Sequence, residues 1–536
     1  MRRQLPPVHS FSGYDIVCLL EHHARTRPRH PFIIWEPFDD GSPLAARTWS
    51  YRRFHDAALR IAAGLGARGI GRGDKVVIHM ENCVEMLLAI FACARLGAVS
   101  VVTNSRSTAD ELRYFVEHSG AAGALTQPAF AGAMGEAGAQ LDWIVTADAP
   151  SHAEIAGPPP AADSFGALFG DPESLPDRFV DANAPCVIFY TSGTTARPKG
   201  VVLTHANLLW GARVNAAQQA MAPDDVTLTF LPLFHVNAQA YSVLPSLWAG
   251  CTVVLQPRFS LSRFWDVALD HKATWCSIMT FCVNLLKEVD VPAHSFRLWG
   301  EAFCEPPSDS YFGIKTLGWF GMTETVARPI VGHIDKPNLS MSMGRPAPEY
   351  DIAITREDGT DAEAGEAGEL RIGGIPGLSL FAEYLNDPQA TDESFDEGGR
   401  FLTGDLVEAA DDGFIRYRDR LKDMLKVRGE NVAASEIERV IASMPEVSEV
   451  AVVGRRDELH GQLPVAFVVP GDGSGSRGKK VEDRIFETCR SKLADFKVPA
   501  EVRILDELPR SGPLAKIDKL SLRAEANEEK GEEKGG

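Results

Sequence analysis

The chain has 536 residues, 45% of them hydrophobic and 24% charged, with a formal net charge of −19. That length exceeds what one hydrophobic core organises and calls for two or more domains. The acidic balance excludes nucleic acid and anionic membranes as general partners, so an anionic substrate has to be held by a local positive site.

Residues 1–7 lack the apolar centre of a signal peptide, and no apolar run approaches the ~20 residues of a membrane span. Nine cysteines are scattered with no Cys-x-x-Cys pair, which predicts buried, reduced thiols in a cytoplasmic protein. Residues 14–28 predict an amphipathic helix with His22 and His23 on its surface. Helices are expected over 54–68, 85–96 and 108–119, and strands over 75–80 and 99–103. This alternation indicates an α/β sheet domain. No Gly-x-Gly-x-x-Gly follows the first of these strands, which argues against a nicotinamide-binding fold. Residues 147–187, rich in Pro, Ala, Asp and Ser, predict a surface connection.

Residues 186–190 read as a buried strand and 201–203 as a second one. Between them lie Thr191, Ser192, Gly193, Thr194, Thr195, Arg197, Lys199 and Gly200. Glycine admits backbone N–H groups close to a ligand, hydroxyl and N–H groups in a tight loop form an anion-binding concavity, and lysine adds a point charge. The natural ligand is a polyphosphate. The loop is not a Walker A motif, because Pro198 stands where its second glycine belongs and Gly200 follows the lysine.

Further on, residues 227–233, 252–255 and 274–280 are strand-like and 261–269 helical. The stretch from Leu298 to Ala302 and that from Leu317 to Thr325 suit a nucleotide pocket: glycine permits close approach, an aromatic ring can flank a base, and the Glu324 carboxylate can hold Mg²⁺. A strand is expected over 369–372. Basic residues then alternate through 421–432, before a helix from Ser435 to Met444 whose start reads as a capping box with Glu438. Strands over 447–453, 464–469 and 501–504 and a helix over 481–493 follow. The Glu/Lys/Gly tail from Glu525 is expected to be disordered.

The order Tyr190-Thr-Ser-Gly-Thr-Thr-x-x-Pro-Lys-Gly-Val201 resembles the signature loop of the adenylate-forming enzymes: acyl-CoA synthetases, peptide-synthetase adenylation domains and beetle luciferases. Four further segments match that family in order, so the resemblance spans nearly the whole chain. Segments 373–384, 386–391 and 495–499 give it the look of acyl-CoA ligases of the carnitine and crotonobetaine-CoA type. The resemblance implies an α/β fold with a large N-terminal domain of mixed sheets and flanking helices (1–420), a small mobile α+β C-terminal domain (421–524) and a tail (525–536). It implies an ATP-dependent acyl-CoA ligase that uses Mg²⁺, ATP, coenzyme A and a small-molecule carboxylic acid, with a homodimer allowed.

Residue by residue, the resemblance implies that Thr191, Ser192, Gly193, Thr194, Thr195 and Lys199 grip the β- and γ-phosphates. Gly300, Glu301, Ala302, Trp319, Phe320, Gly321, Met322 and Thr323 would frame adenine and the α-phosphate. Glu324, with Thr191, would hold Mg²⁺, and Asp405 and Arg420 the ribose hydroxyls. Lys422 matches the hinge between domains, and Lys426, Gly429 and Glu430 the loop that enters for thioester formation. Lys516 matches the lysine bridging the substrate carboxylate and the α-phosphate, and His235 the gate between acyl pocket and pantetheine tunnel. The acyl pocket would follow His235 and include residues 275–282 and 322–328, whose Phe, Met, Trp and Val suggest a mostly apolar small or medium acid.

Two departures stand out. The Lys516 segment has one extra residue after Arg510, with Ala515 for the usual Gly. Glu301 reads first as adenine-side structure, since a buried unpaired charge is costly, and second as a carboxylate facing a cationic acyl group. Two other functions remain open to the sequence: loading of an acyl or aminoacyl group onto a carrier protein, which the absence of Asp in Val236-Asn237-Ala238 disfavours, and a non-catalytic nucleotide-binding module.

Overall fold

The computed structural model describes residues 5–38, 48–147, 163–191, 198–420, 423–427, 430–457, 461–471, 478–493, 497–511 and 516–528. The chain divides into two compact units. The first comprises residues 1–352, 372–401 and 413–415; the second comprises 353–371, 402–412 and 416–536.

The first unit is built on two large sheets. In one, the strand Pro185–Thr191 lies beside Val99–Thr103, which is followed outward by Lys75–His79, Gly123–Thr126, Trp143–Thr146 and Asp163–Ser164, all parallel. These parallel strands read as continuous runs of Val, Ile and Leu because helices cover both faces. The helix Val84–Leu96 is correspondingly apolar on almost every side and buried. Lys199–Thr204 returns antiparallel to Pro185–Thr191, with Thr191 opposite Lys199. Glu383–Tyr384 closes that edge by pairing with Val201 and Val202.

The other sheet runs, in order, Arg345–Pro346, Ile330–Val331, Lys315–Phe320, Leu298–Glu301, Trp275–Ser277, Val226–Thr229, Thr252–Leu255, Pro31–Trp35 and Thr48–Ser50. Its centre is parallel, so Glu301 and Phe320 end neighbouring strands on the same side. The core beneath it is aromatic, with Phe230, Phe264, Trp265, Phe296, Trp299 and Phe312 packed together.

A polar knot fixes the segment that leads to Tyr384. Thr204 caps the helix His205–Gln218 and forms a capping box with Asn207. The same two side chains reach across to it: Thr204 Oγ1 donates to the Gly377 carbonyl at 2.7 Å, and Asn207 Nδ2 donates to the carbonyls of Leu378 and Leu380 at 2.8 and 2.7 Å. Asn207 is wholly buried, so each bond satisfies a group that water cannot reach.

The second unit carries a sheet ordered Glu430–Ala433, Met424–Val427, Gly461–Pro470 and Val447–Asp457, with Glu501–Ile504 pairing parallel to Gly461–Pro470. Helices Ala434–Ala442 and Gly478–Lys492 pack on one face through Ile437, Ile441, Val481, Ile485 and Cys489. Leu522 and Ala526 of the helix Lys519–Glu528 pack on the other.

Three expectations are corrected. His23 is buried, not on the surface: its ring lies 5.0 Å from that of Tyr51, and burial lowers its pKa to about 4. Ser435 forms no capping box, because the helix begins one residue earlier and its Oγ bonds the Arg418 carbonyl. Glu438 instead accepts from the Val452 N–H at 2.7 Å and pairs with Lys519 at 2.8 Å. Residues 525–528 are helical, because Ala526 is buried. The described cysteines are free, and all but Cys18 are buried. No helix among the described residues is long and apolar enough to cross a membrane.

Replacing Asn207 with Ala strands the Leu378 carbonyl, leaves the Leu380 carbonyl with the Gly377 N–H alone, and removes the capping-box partner of Thr204. The first unfolding transition in denaturant is therefore expected to lose about 2–4 kcal/mol, with the melting of the second unit unchanged.

Candidate functional site

The signature loop is anchored at both ends by one helix. Ala109–Ser119, capped by Thr108 and Glu111, sends Tyr114 to the Pro198 carbonyl at 3.0 Å and His118 to the Tyr190 hydroxyl at 2.9 Å. Phe115 packs on the Tyr190 ring, with centroids 4.3 Å apart. Ser192, Gly193, Thr194 and Thr195 lie outside the described residues.

At the loop's far end Lys199 is half-buried, and its Nζ lies 4.8 Å from the centre of the Tyr384 ring. The Tyr384 hydroxyl donates to Glu324 Oε1 at 3.0 Å. Glu324 follows Lys315–Phe320 in a single 3₁₀ turn, Thr323–Thr325, and its own carbonyl accepts from the Phe381 N–H at 2.8 Å. The carboxylate is buried, although in sequence a Thr-Glu pair after a glycine looks like surface. The turn is tied down twice more. The Tyr350 hydroxyl donates to the Thr325 carbonyl at 2.6 Å, and Val326 takes φ +59°, an uncommon conformation for a β-branched residue. Thr191, Lys199, Tyr384 and Glu324 thus join the ends of the two sheets. Among the described residues no cluster of three or more His, Cys, Asp and Glu could hold a metal by itself. One buried carboxylate suits a Mg²⁺ that arrives on phosphate oxygens, as that ion keeps few protein ligands.

Beside this lies an aromatic wall. A Cβ on Gly300 would fall 1.8 Å from Trp319, and one on Gly321 would fall 2.2 Å from the Tyr241 hydroxyl, so both positions need glycine for close approach. Trp319 lies 6.1 Å from Trp275 and 5.7 Å from Tyr241, ring centre to ring centre. Behind it Arg328, wholly buried, places its guanidinium 4.7 Å from the Trp319 ring and 5.4 Å from Tyr241. Its hydrogen bonds go to neutral oxygens of Asn215 and Gln218. Burial lowers its pKa to about 9, which leaves it charged at neutral pH. Phe320 is buried, and Met322 and Thr323 are half-buried. His235 precedes the short helix Val236–Ala238, with its ring 4.6 Å from Phe234. Ser277 Oγ donates to Asn237 Oδ1 at 2.8 Å.

Glu301 projects from its strand on the face shared with Trp299, opposite Gly300 and hence opposite Trp319. It is 4% exposed, and burial, opposed by a Thr280 hydrogen bond, raises its pKa to about 7. Ala302 is exposed.

The remaining expected residues belong to the second unit. Asp405 is buried, with the Tyr417 hydroxyl 3.3 Å from Oδ1. Lys516 pairs with Ser511 in a two-stranded hairpin. For Arg420, Lys426, Glu430 and Lys516 the backbone alone is described, and Lys422, Gly429 and the residues just before Lys516 lie outside the described residues. Tyr384 had no assigned role in the sequence, and Arg328 was named only as the end of the 322–328 stretch of the acyl pocket. The edge strand Glu383–Tyr384 is too short to give a signal for the first, and a lone cation inside an apolar run was the available signal for the second.

Comparison with known proteins gives a consistent result. The model of the AMP-binding enzymes matches residues 20–385, and that of the AMP-binding enzyme C-terminal domain matches 436–513. A crotonobetaine/carnitine–CoA ligase of Escherichia coli O139:H28 is 32% identical over 488 residues, covering 86% of this chain and 91% of the relative. Among solved structures, an O-succinylbenzoate coenzyme A synthetase from Bacillus subtilis in complex with ATP and magnesium ion is similar at 27% identity and TM-score 0.80, over 95% of this chain and 98% of that one. ATP-bound MatB from Rhodopseudomonas palustris is similar at 25% identity and TM-score 0.81, over 96% and 99%.

Because folding raises the Glu301 pKa from the ordinary 4.5 to about 7, the folded state binds the extra proton. Stability is therefore full below about pH 4.5 and falls as pH rises through about 7. Glu301→Gln is expected to melt above the parent at pH 8 and level with it at pH 4.5, as read by calorimetry.

Proposed function

The chain belongs to the AMP-binding enzymes, the adenylate-forming acyl-CoA ligases, and we propose that it joins a small or medium, mostly apolar carboxylic acid to coenzyme A. In the first step the acid's carboxylate oxygen attacks the α-phosphorus of ATP and pyrophosphate leaves. In the second, the CoA thiol attacks the acyl carbon, AMP departs with the bonding electrons and the thiol proton is lost. The observation that carries this reading is the Lys199–Tyr384–Glu324 cluster, which sets a cation and a carboxylate at the end of the signature loop.

Both partners of the first step are anions on a chain of net charge −19, so attack requires local cations. Lys199 faces the β- and γ-phosphates. Lys516 bridges the attacking carboxylate and the α-phosphate. A Mg²⁺ held by Glu324 supplies charge neutralisation when bound with the nucleotide. Asp405 and Arg420 take the ribose hydroxyls. His235 stands at the passage between acid and thiol. Exclusion of water protects the mixed anhydride between the two steps.

Tyr241, in the acyl pocket that follows His235, stands against Trp319, which with Gly300 frames the nucleotide. The two rings already carry the Arg328 guanidinium, so a quaternary ammonium on the acid would meet a like charge there. Glu301 faces the other way and is half protonated near pH 7. A neutral acyl chain is therefore favoured over the betaines named for the E. coli relative.

The test is AMP release from Mg-ATP over a panel of acids, each with and without CoA, with crotonobetaine set against neutral acids of the same length. CoA-dependent release is expected, with kcat/KM at least about tenfold higher for the neutral acid, one tenfold step being about 1.4 kcal/mol. Pyrophosphate exchange without CoA-dependent turnover would replace CoA with a carrier protein as acceptor. Lys516→Ala is expected to lower adenylation by on the order of 10²–10³ while sparing thiolation of a supplied acyl-adenylate. Equal loss of both half-reactions would remove the role assigned to Lys516.

A further inference from the structure

We propose that Tyr384 is a positioning residue with two separable tasks: its hydroxyl orients the Glu324 carboxylate for the nucleotide's Mg²⁺, and its ring holds Lys199 at the phosphates. The inference rests on the assignment of Glu324 and Lys199 to Mg-ATP made above.

The geometry is specific. Tyr384 sits in a two-residue strand whose backbone pairs with Val201, two residues beyond Lys199. Its N–H donates to Thr391 Oγ1 at 2.9 Å, and its ring packs on Phe381 at 4.7 Å between centres. The side chain is therefore fixed at its base by the phosphate-loop strand. Its tip reaches the carboxylate on the other sheet. A donor fixed on one carboxylate oxygen sets the rotation of the group and the direction in which its second oxygen points. Hydrogen-bond partners of metal-ligating groups do this commonly, and their loss costs about 10–100-fold in metal affinity. The ring face supplies a second, independent contact. A lysine ammonium 4.8 Å above a tyrosine ring is attracted to it, which holds a long, rotamer-rich side chain near one position before any phosphate is present.

Two substitutions separate the tasks. Tyr384→Phe removes the hydroxyl and keeps the ring; Tyr384→Leu removes both. Tyr350→Phe is the control, since it deletes another buried hydroxyl that supports the same turn through Thr325 without touching the carboxylate. The measurement is calorimetric ATP binding to the full chain across a MgCl₂ series, without acid or CoA, with melting temperatures recorded alongside. Tyr384→Phe is expected to raise the half-saturating Mg²⁺ concentration about tenfold or more, with ATP affinity at saturating Mg²⁺ within about twofold of the parent. Tyr384→Leu is expected to show the same Mg²⁺ shift and, in addition, several-fold weaker ATP binding at saturating Mg²⁺. Tyr350→Phe lowers the melting temperature and leaves the Mg²⁺ midpoint in place. In a Glu324→Gln background, Tyr384→Phe causes no further Mg²⁺ shift. An unchanged Mg²⁺ midpoint in Tyr384→Phe, or an equal shift in Tyr350→Phe, overturns the inference and leaves the ligase reading standing. Parent protein that binds ATP equally well in Mg²⁺ and in chelator removes the role of Glu324 itself, and the inference with it.

Discussion

A carboxylate taken out of water has to be met by donors or cations, and the first unit is arranged around one such group. Glu324 sits in the turn that follows a strand of the aromatic-cored sheet, whereas its donor Tyr384 and the cation Lys199 belong to the other sheet. The hydrogen bond therefore fixes the spacing of two sheets as well as the orientation of one side chain. Its geometry depends on everything that locates the 375–385 segment, above all the buried Asn207, whose amide holds two carbonyls of that segment. A capping residue of one helix thus bears on a carboxylate two elements away. The reason is physical: buried backbone groups without partners are costly, so the few side chains that satisfy them become fixed points.

The wall beside Glu324 is organised by a different economy of charge. Arg328 is wholly buried and bonds neutral oxygens, yet it lies against two electron-rich ring faces. Guanidinium is weakly hydrated and planar, which makes this the least costly way to bury a cation without an anion. The arrangement binds Trp319 and Tyr241 to the helix His205–Gln218 and brings Trp319 across Gly300, where no side chain could fit. Shape, not polarity, is what the rings present on that side.

Much of this was legible in the sequence. The parallel strands announced themselves as short β-branched runs, and Val99–Thr103, Thr252–Leu255 and Glu501–Ile504 have the bounds their patterns suggested. The signature loop made the family legible through the order of its residue types, and the AMP-binding enzyme model over residues 20–385 bears that out. What stayed hidden depends on tertiary context. His23 sits on a polar-looking helix face that Tyr51 covers, a partner 28 positions away. Ser435 and Glu438 satisfy the local spacing of a capping box, but each finds a better partner in three dimensions. Tyr384 occupies an edge strand of two residues, too short for any periodicity to distinguish its side chain from a packing aromatic.

The net charge of −19 gives these details their weight. A strongly acidic chain repels a nucleotide at long range, and at physiological ionic strength that repulsion is screened beyond roughly 8 Å. Attraction must then come from cations held close to where the phosphates lie. Lysine is a poor choice unless its freedom is reduced, because ordering its side chain costs up to about 2 kcal/mol. Setting Lys199 against the ring of Tyr384 reduces that freedom in advance. The same ring carries the hydroxyl that orients Glu324, so cation and carboxylate are positioned by one rigid side chain and keep a fixed separation. A flexible pair would collapse into a direct ion pair, leaving neither charge directed at a ligand. An aromatic residue between them prevents that collapse while touching both, a task that phenylalanine could do in part and tyrosine does in full.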